Sequence, residues 1–271
     1  MKSSFITMLM AALVLTNVFA GGSKESPAVE SYTMEIGGST SVTPLMEAFQ
    51  AEYAKIKPNV RINISGTGSG DGITNAGVTY QIGMTSRDLT PAEQGRGLRA
   101  EIIAVDGIAV IVNKNNAASA LTVEQIHGIY TGAITNWSQV GGKNAAIAVV
   151  SREEGSGTRS AFEEIVRFQG MLIAGANQMT STGAILANIA QNSDAIGYIS
   201  LGSVNDSVKA LSVGGVEPTA ANVARGAYQI ARPFILLTGN NMHSESEAFI
   251  KWILSPAGQA VVTGRGYISP K

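Results

Sequence analysis

Between Ser151 and Glu164 the chain reads SREEGSGTRSAFEE: two arginines, four acids and a Gly-Ser-Gly-Thr run ahead of a helical pattern. Gly155 and Gly157 let the backbone come close to a ligand, and Ser156 and Thr158 add hydroxyls beside first-turn amides that have no acceptor within their own helix. Arg152 contributes a planar fork of donors suited to paired oxygens. Together these groups suit a small oxyanion. Arg159 either joins them or pairs with Glu163, four residues on. A helix capped by Ser156 or Thr158 after a glycine turn, with solvated charges around it, fits the stretch equally well when it is taken alone.

Three further stretches share this grammar. GGSTSVTPLMEAF (37–49) offers the hydroxyls of Ser39, Thr40 and Ser41 and places Pro44 where a first helical turn tolerates it. SGTGSGDGI (65–73) brings the Ser69 hydroxyl and the Gly70 amide, and TSRDL (85–89) ends a strand with Ser86, Arg87 and Asp88. Singly, they read as an ordinary capped helix, a glycine turn and a surface turn. As a set they form convergent donors, and the set implies an anion. The glycines match neither a dinucleotide fingerprint, whose third glycine would fall at Asp71, nor a P-loop. No catalytic apparatus accompanies them: His127 and His243 lie outside these loops, and no nucleophile elbow or paired-histidine metal motif is present. The sequence therefore predicts no enzyme, no metal and no cofactor. Trp137 and Trp252 read as packing residues.

These loops sit in strand-loop-helix units. YTMEIGGS leads to a helix with Leu45, Phe49 and Tyr53 in register, NVRINISG to a second, and AAIAVVS to the Arg152 loop. Such alternation implies a parallel α/β sheet with the loops gathered at the carboxyl ends of its strands. Two long apolar runs, DGIAVIVNK (106–114) and RPFILLTG (232–239), bracket the middle of the chain and read as crossovers. They divide it into a first lobe, residues 32–107 plus 232–271, and an inserted second lobe, residues 108–231.

With 271 residues, 45% of them hydrophobic, the chain can bury a real core. Its net charge of -1 argues against nucleic-acid binding and confines any anion site to local charge. Residues 1–20, with Lys2 ahead of an apolar stretch, read as a signal peptide, and residues 21–31 as a flexible linker. The absence of cysteine rules out disulfides and a lipid-anchor cysteine, so the expectation is a freely diffusing monomer in a periplasm-like space.

An arginine followed after three residues by Ser-Gly-Thr, here Arg152 and Ser156-Gly157-Thr158, makes the chain resemble the periplasmic phosphate-binding proteins that deliver phosphate to ABC transporters. The likeness covers most of the chain after residue 20. It implies a two-lobed type II periplasmic-binding-protein fold with two crossover strands, inorganic phosphate held in the cleft and a membrane permease as partner. Carried over to this sequence, the site comprises Thr40, Ser41, Ser69, Gly70, Ser86, Arg152, Ser156, Gly157 and Thr158. Many members carry in the third loop an aspartate that accepts a hydrogen bond from a protonated phosphate oxygen, and the matching position here is Ser86. Asp88 falls two residues late; Asp71 and Glu154 are the remaining acceptor candidates, with Glu154 expected instead to orient Arg152. Selectivity among phosphate, sulfate, arsenate and molybdate stays open at this point. So does hydrolysis of a phosphate ester on the same fold.

Overall fold

The computed structural model describes residues 31–270, so the signal-peptide reading and all of the linker except Ser31 lie outside it. Strands β1 (Tyr32–Gly38) and β2 (Val60–Gly66) end in small-residue turns feeding helices α1 (Thr43–Tyr53) and α2 (Ser69–Asn75). Strand β3 (Ile82–Thr85) and the short α3 (Pro91–Gln94), closed by a Thr90–Glu93 capping box, lead to β4 (Arg99–Asn113). Next come β5 (Ala120–Leu121), α4 (Val123–Thr131), β6 (Ala148–Arg152), α5 (Gly157–Val166), β7 (Asn177–Met179) and α6 (Thr182–Gln191). They are followed by β8 (Ala195–Ser200), β9 (Val208–Ala210), β10 (Ser212–Val213) and α7 (Ala220–Ala224). The chain returns through β11 (Ala231–Thr238) and finishes with α8 (Ser244–Ile253) and α9 (Pro256–Gly264).

The main sheet runs β2-β1-β3-β11-β4-β8-β6-β7, with β9 added beside β4. It is mixed, not the all-parallel sheet that the alternating pattern implies. Pairing is parallel among β2, β1 and β3 and among β8, β6 and β7, but β11 and β4 run antiparallel to each other and to their outer neighbours. The reason lies in β4, whose first part, Arg99 to Gly107, pairs with β11 while Ile108 to Val112 pair with β8. A strand shared in this way leads the chain out of one lobe and into the next.

Two apolar clusters flank that crossing. Phe49, Tyr53, Phe249 and Ile253 pack with Met34, Ile36 and Phe234 in one; Tyr130, Phe162, Phe168 and Tyr198 pack with Val110 and Val112 in the other. β4 contributes to both: Ile103 and Ala104 join the first cluster and Ile108, Val110 and Val112 the second, while Ala109 and Ile111 enter a third cluster on the other face. Each large apolar side chain withdrawn from water contributes roughly 1.5–3 kcal/mol, so both clusters have the means to hold their own layer rigid. The two tryptophans serve packing, as expected: Trp137 is fully buried and donates to the Asp194 carbonyl, and Trp252 stacks with Phe249. Of the histidines, His127 faces the Val166 carbonyl and His243 caps α8 while stacking on Tyr32.

Candidate functional site

Five loops, each at the carboxyl end of a strand in the parallel parts of the sheet, meet at one place. Arg152 is the last residue of β6, and its strand end is fixed by Tyr198, whose phenol bonds Ser151 Oγ at 2.8 Å and accepts from the Arg152 amide at 3.2 Å. Burial pushes that phenol up to about 12, so it stays a neutral hydrogen-bonding post. The Arg152 side chain is only 2% exposed. A guanidinium withdrawn this far from water needs a partner. It has one in Glu153, which takes Nε at 2.7 Å and Nη2 at 2.8 Å. The expected orienting residue, Glu154, is exposed instead, because the chain turns outward at Gly155, where φ is +83°. The remaining Arg152 nitrogen, Nη1, lies 3.5 Å from Thr182 Oγ1.

Around that nitrogen the hydroxyls interlock. Ser41 Oγ bonds Thr158 Oγ1 at 2.7 Å and Thr182 Oγ1 at 3.2 Å, while Thr40 Oγ1 lies 3.3 Å from Thr182 Oγ1 and accepts from the Thr182 amide. A second group adjoins the first: Ser39 Oγ donates to Ser86 Oγ at 2.9 Å, and Ser69 Oγ accepts from the Ser86 amide at 3.2 Å. Gly157 separates the two groups. A Cβ there would stand 2.4 Å from Ser69 Oγ and 2.9 Å from Ser86 Oγ, so only glycine permits this approach of α5 to the opposing loops. Ser39, Ser41, Ser69, Ser86, Ser156 and Thr158 are all buried.

Each predicted residue thus lies in this region, in different states of engagement. Thr40, Ser41, Ser69, Ser86, Thr158 and Arg152 interact directly as described. Ser156 caps α5, its hydroxyl accepting from the Arg159 amide, so the capped-helix reading holds for that side chain. The Gly70 amide donates to the Gly155 carbonyl at 2.9 Å, tying the second loop to the fourth. At α1 the simple capped-helix reading gives way, because Val42 occupies the cap with no side-chain bond and the hydroxyls before it point elsewhere. Nor is the third loop a surface turn: Thr85 and Ser86 are fully buried, and Arg87 forms an ion pair with Glu93.

The acceptor candidates fall away in turn. Asp71 is held by Thr67, Tyr80 and Asn75; burial would raise its carboxyl, but these three bonds outweigh it and keep the group below the usual range. Asp88 is exposed, and Arg159 pairs with Glu163 at 2.6 Å rather than with the cluster. Sequence reasoning missed Thr182 and Tyr198. Thr182 had a signal: Met179 to Gly183 repeats the pattern of strand, hydroxyl run and glycine at a helix start, with Ser181 as the cap. Tyr198 had none, since a tyrosine in an apolar strand looks like core.

Residues 22–257 match the PBP superfamily domain. The chain belongs to that superfamily. Among similar proteins, the phosphate-binding protein PstS of Bacillus subtilis is 30% identical over 97% of this chain and 92% of its own length. A phosphate ABC transporter substrate-binding protein from Clostridium perfringens, solved with bound phosphate, is 45% identical with a TM-score of 0.87, covering 88% of this chain and 100% of that one. An ABC-type phosphate transport receptor from Vibrio cholerae is 38% identical with a TM-score of 0.71, again covering 88% of this chain and 100% of the other.

Proposed function

We infer that this chain is a solute-binding protein that captures inorganic phosphate between its lobes and delivers it to an ABC transporter. The observation that carries the reading is the Ser41–Thr158 contact beside Arg152: two hydroxyls, one just before α1 and one in the first turn of α5, meet next to a buried guanidinium. Helix starts at α1, α5 and α6 add amides that favour negative charge. Excluding water strengthens each charge-assisted bond to the anion, and lobe closure is the motion that excludes it.

The ligand set we assign is Thr40, Ser41, Ser69, Gly70, Ser86, Arg152, Ser156, Gly157 and Thr158, extended by Thr182. Support for lobes at 32–107 plus 232–271 and at 108–231 comes from the division of β4 between the two apolar clusters. A single chain supplies both sides of the site, which favours a monomer, and the near-neutral net charge speaks against nucleic acid as a partner. Work outside the cytoplasm follows from the signal-like residues 1–20; among the described residues no helix is long and apolar enough to cross a membrane.

One observation favours a broader oxyanion range. Among the described residues no free carboxylate stands in the cluster, since Glu153 is taken by Arg152 and Asp71 by its own neighbours, so a protonated phosphate oxygen must be met by hydroxyl lone pairs. Hydroxyls accept or donate as required, and they do not repel sulfate as a carboxylate does. Calorimetric titration with phosphate, sulfate and molybdate from pH 5 to 8 tests both points. Failure to bind phosphate at any pH removes the function, and turnover of a phosphate ester would replace it with hydrolysis.

A further inference from the structure

A second buried arginine stands behind the hydroxyl cluster. Asp106 on β4 and Arg232 on β11 are register partners at the point where the two shared strands cross. Arg232 Nη2 meets Asp106 Oδ2 at 3.1 Å, and their side chains are 2% and 1% exposed. Ser200, at the end of β8, donates to Asp106 Oδ1 at 3.0 Å, bringing the second half of the sheet to the same carboxylate. The other Arg232 hand reaches forward: Nη1 donates to the Ser86 carbonyl at 3.4 Å, behind the hydroxyl that faces Ser39 and Ser69. Arg232 Nε, also buried, has no hydrogen-bond partner. The guanidinium lies 5.4 Å over the Phe234 ring, which fixes its plane.

Two consequences follow from this placement. The backbone of Ser86 is anchored from behind by a group whose position is set at the crossing of the strands. Because Arg232 Nη1 reaches the Ser86 carbonyl and the Ser86 hydroxyl belongs to the cluster, the Arg232 charge sits directly behind the cluster in the same low-dielectric interior; burial lowers the Arg232 pKa first, Asp106 opposes that change, and Arg152 adds to it. A dianion beside Arg152 therefore feels Arg232, and feels it less as Asp106 cancels it. The groups facing Asp106 are Arg232 from β11, Ser200 and the Gly202 amide after β8, and Tyr267 beyond α9.

We propose that Arg232 is a positioning residue of the anion site, holding the Ser86 loop and lending it a second buried cation, with Asp106 setting how much of that charge the anion senses. The proposal rests on the phosphate-capture reading. It makes an unusual demand: the two members of one ion pair act on affinity in opposite directions. Removing the cation weakens binding, whereas neutralising its partner carboxylate strengthens it.

Calorimetry with inorganic phosphate at pH 7.5 reads this directly on the protein and three variants. Arg232→Met is expected to bind about tenfold more weakly, Arg232→Lys to recover most of that loss, and Asp106→Asn to bind several-fold more tightly. A purely structural pair would loosen binding whichever member is changed. The conservative substitutions keep the test decisive should Arg232→Met fail to fold. Wild-type binding with Asp106→Asn weakened or unchanged overturns this proposal alone, while a wild-type protein that takes up no phosphate overturns it together with the phosphate-capture reading.

Discussion

The two buried arginines make an instructive pair. Arg152 is held by its chain neighbour Glu153, whose carboxylate is still 26% exposed, and it keeps one nitrogen turned to the hydroxyls. Arg232 is held by a residue 126 positions away in sequence, in a pair closed to solvent on both sides. In the first, water still solvates the carboxylate, so the ion pair can be broken at modest cost to the fold. In the second, removing one partner strands a charge in the interior, a loss typical of about 3–5 kcal/mol. On the proposed reading, Arg152 serves recognition first and Arg232 serves cohesion first, and the difference is set by where the carboxylate sits.

The sharpest way to break this contrast is to remove each arginine and read binding and stability separately. Arg152→Met should cost phosphate binding roughly 3–4 kcal/mol, several hundred-fold by calorimetry, and leave denaturant unfolding within about 1.5 kcal/mol of wild type. Arg232→Met should do the reverse, lowering unfolding free energy by about 3 kcal/mol with a smaller loss of affinity. Equal effects on both measures would dissolve the distinction.

The buried carboxylate also sharpens the comparison through pH. Burial, opposed by Arg232, pushes Asp106 from an ordinary value of 3.8 up to about 6. Between these values the folded protein holds a proton that the unfolded chain has released, so this group's contribution to stability is full below about pH 4 and is lost as pH rises through 6. A wild-type stability curve from pH 4 to 7, compared with that of Asp106→Asn, should differ by a fall of about 2 kcal/mol that the variant lacks. Parallel curves would show that Asp106 is not the group concerned.

Smaller effects probe the contact between the lobes. Gly157→Ala places a methyl against Ser69 and Ser86 and should weaken phosphate binding roughly tenfold, by obstructing the closed approach rather than by removing a donor. Thr158→Val removes only the hydroxyl bonded to Ser41 and should cost about 1 kcal/mol of binding. A reversed order would mean that the close approach matters less than the individual donors.

Much of the site was legible because its grammar is local. A strand, a run of small hydroxyl residues and a helix start lie within a dozen residues, and the same pattern recurs at Ser41, Ser69 and Arg152. Thr182 was legible in the same way and was overlooked. Tyr198 was not, because its role depends on β8 lying beside β6, a fact of pairing rather than of pattern. Glu153 and Glu154 differ in nothing the sequence records; the turn at Gly155 chooses between them.

The sequence by itself determined the loops, the helices that follow them and the two apolar runs, because side-chain periodicity and glycine and serine placement act over a few residues. Tertiary structure alone decided the mixed sheet, the burial of Arg152 and the meeting of Asp106 with Arg232. Those depend on segments more than 100 residues apart pairing in one register, and on the loss of water that follows, which no local pattern encodes.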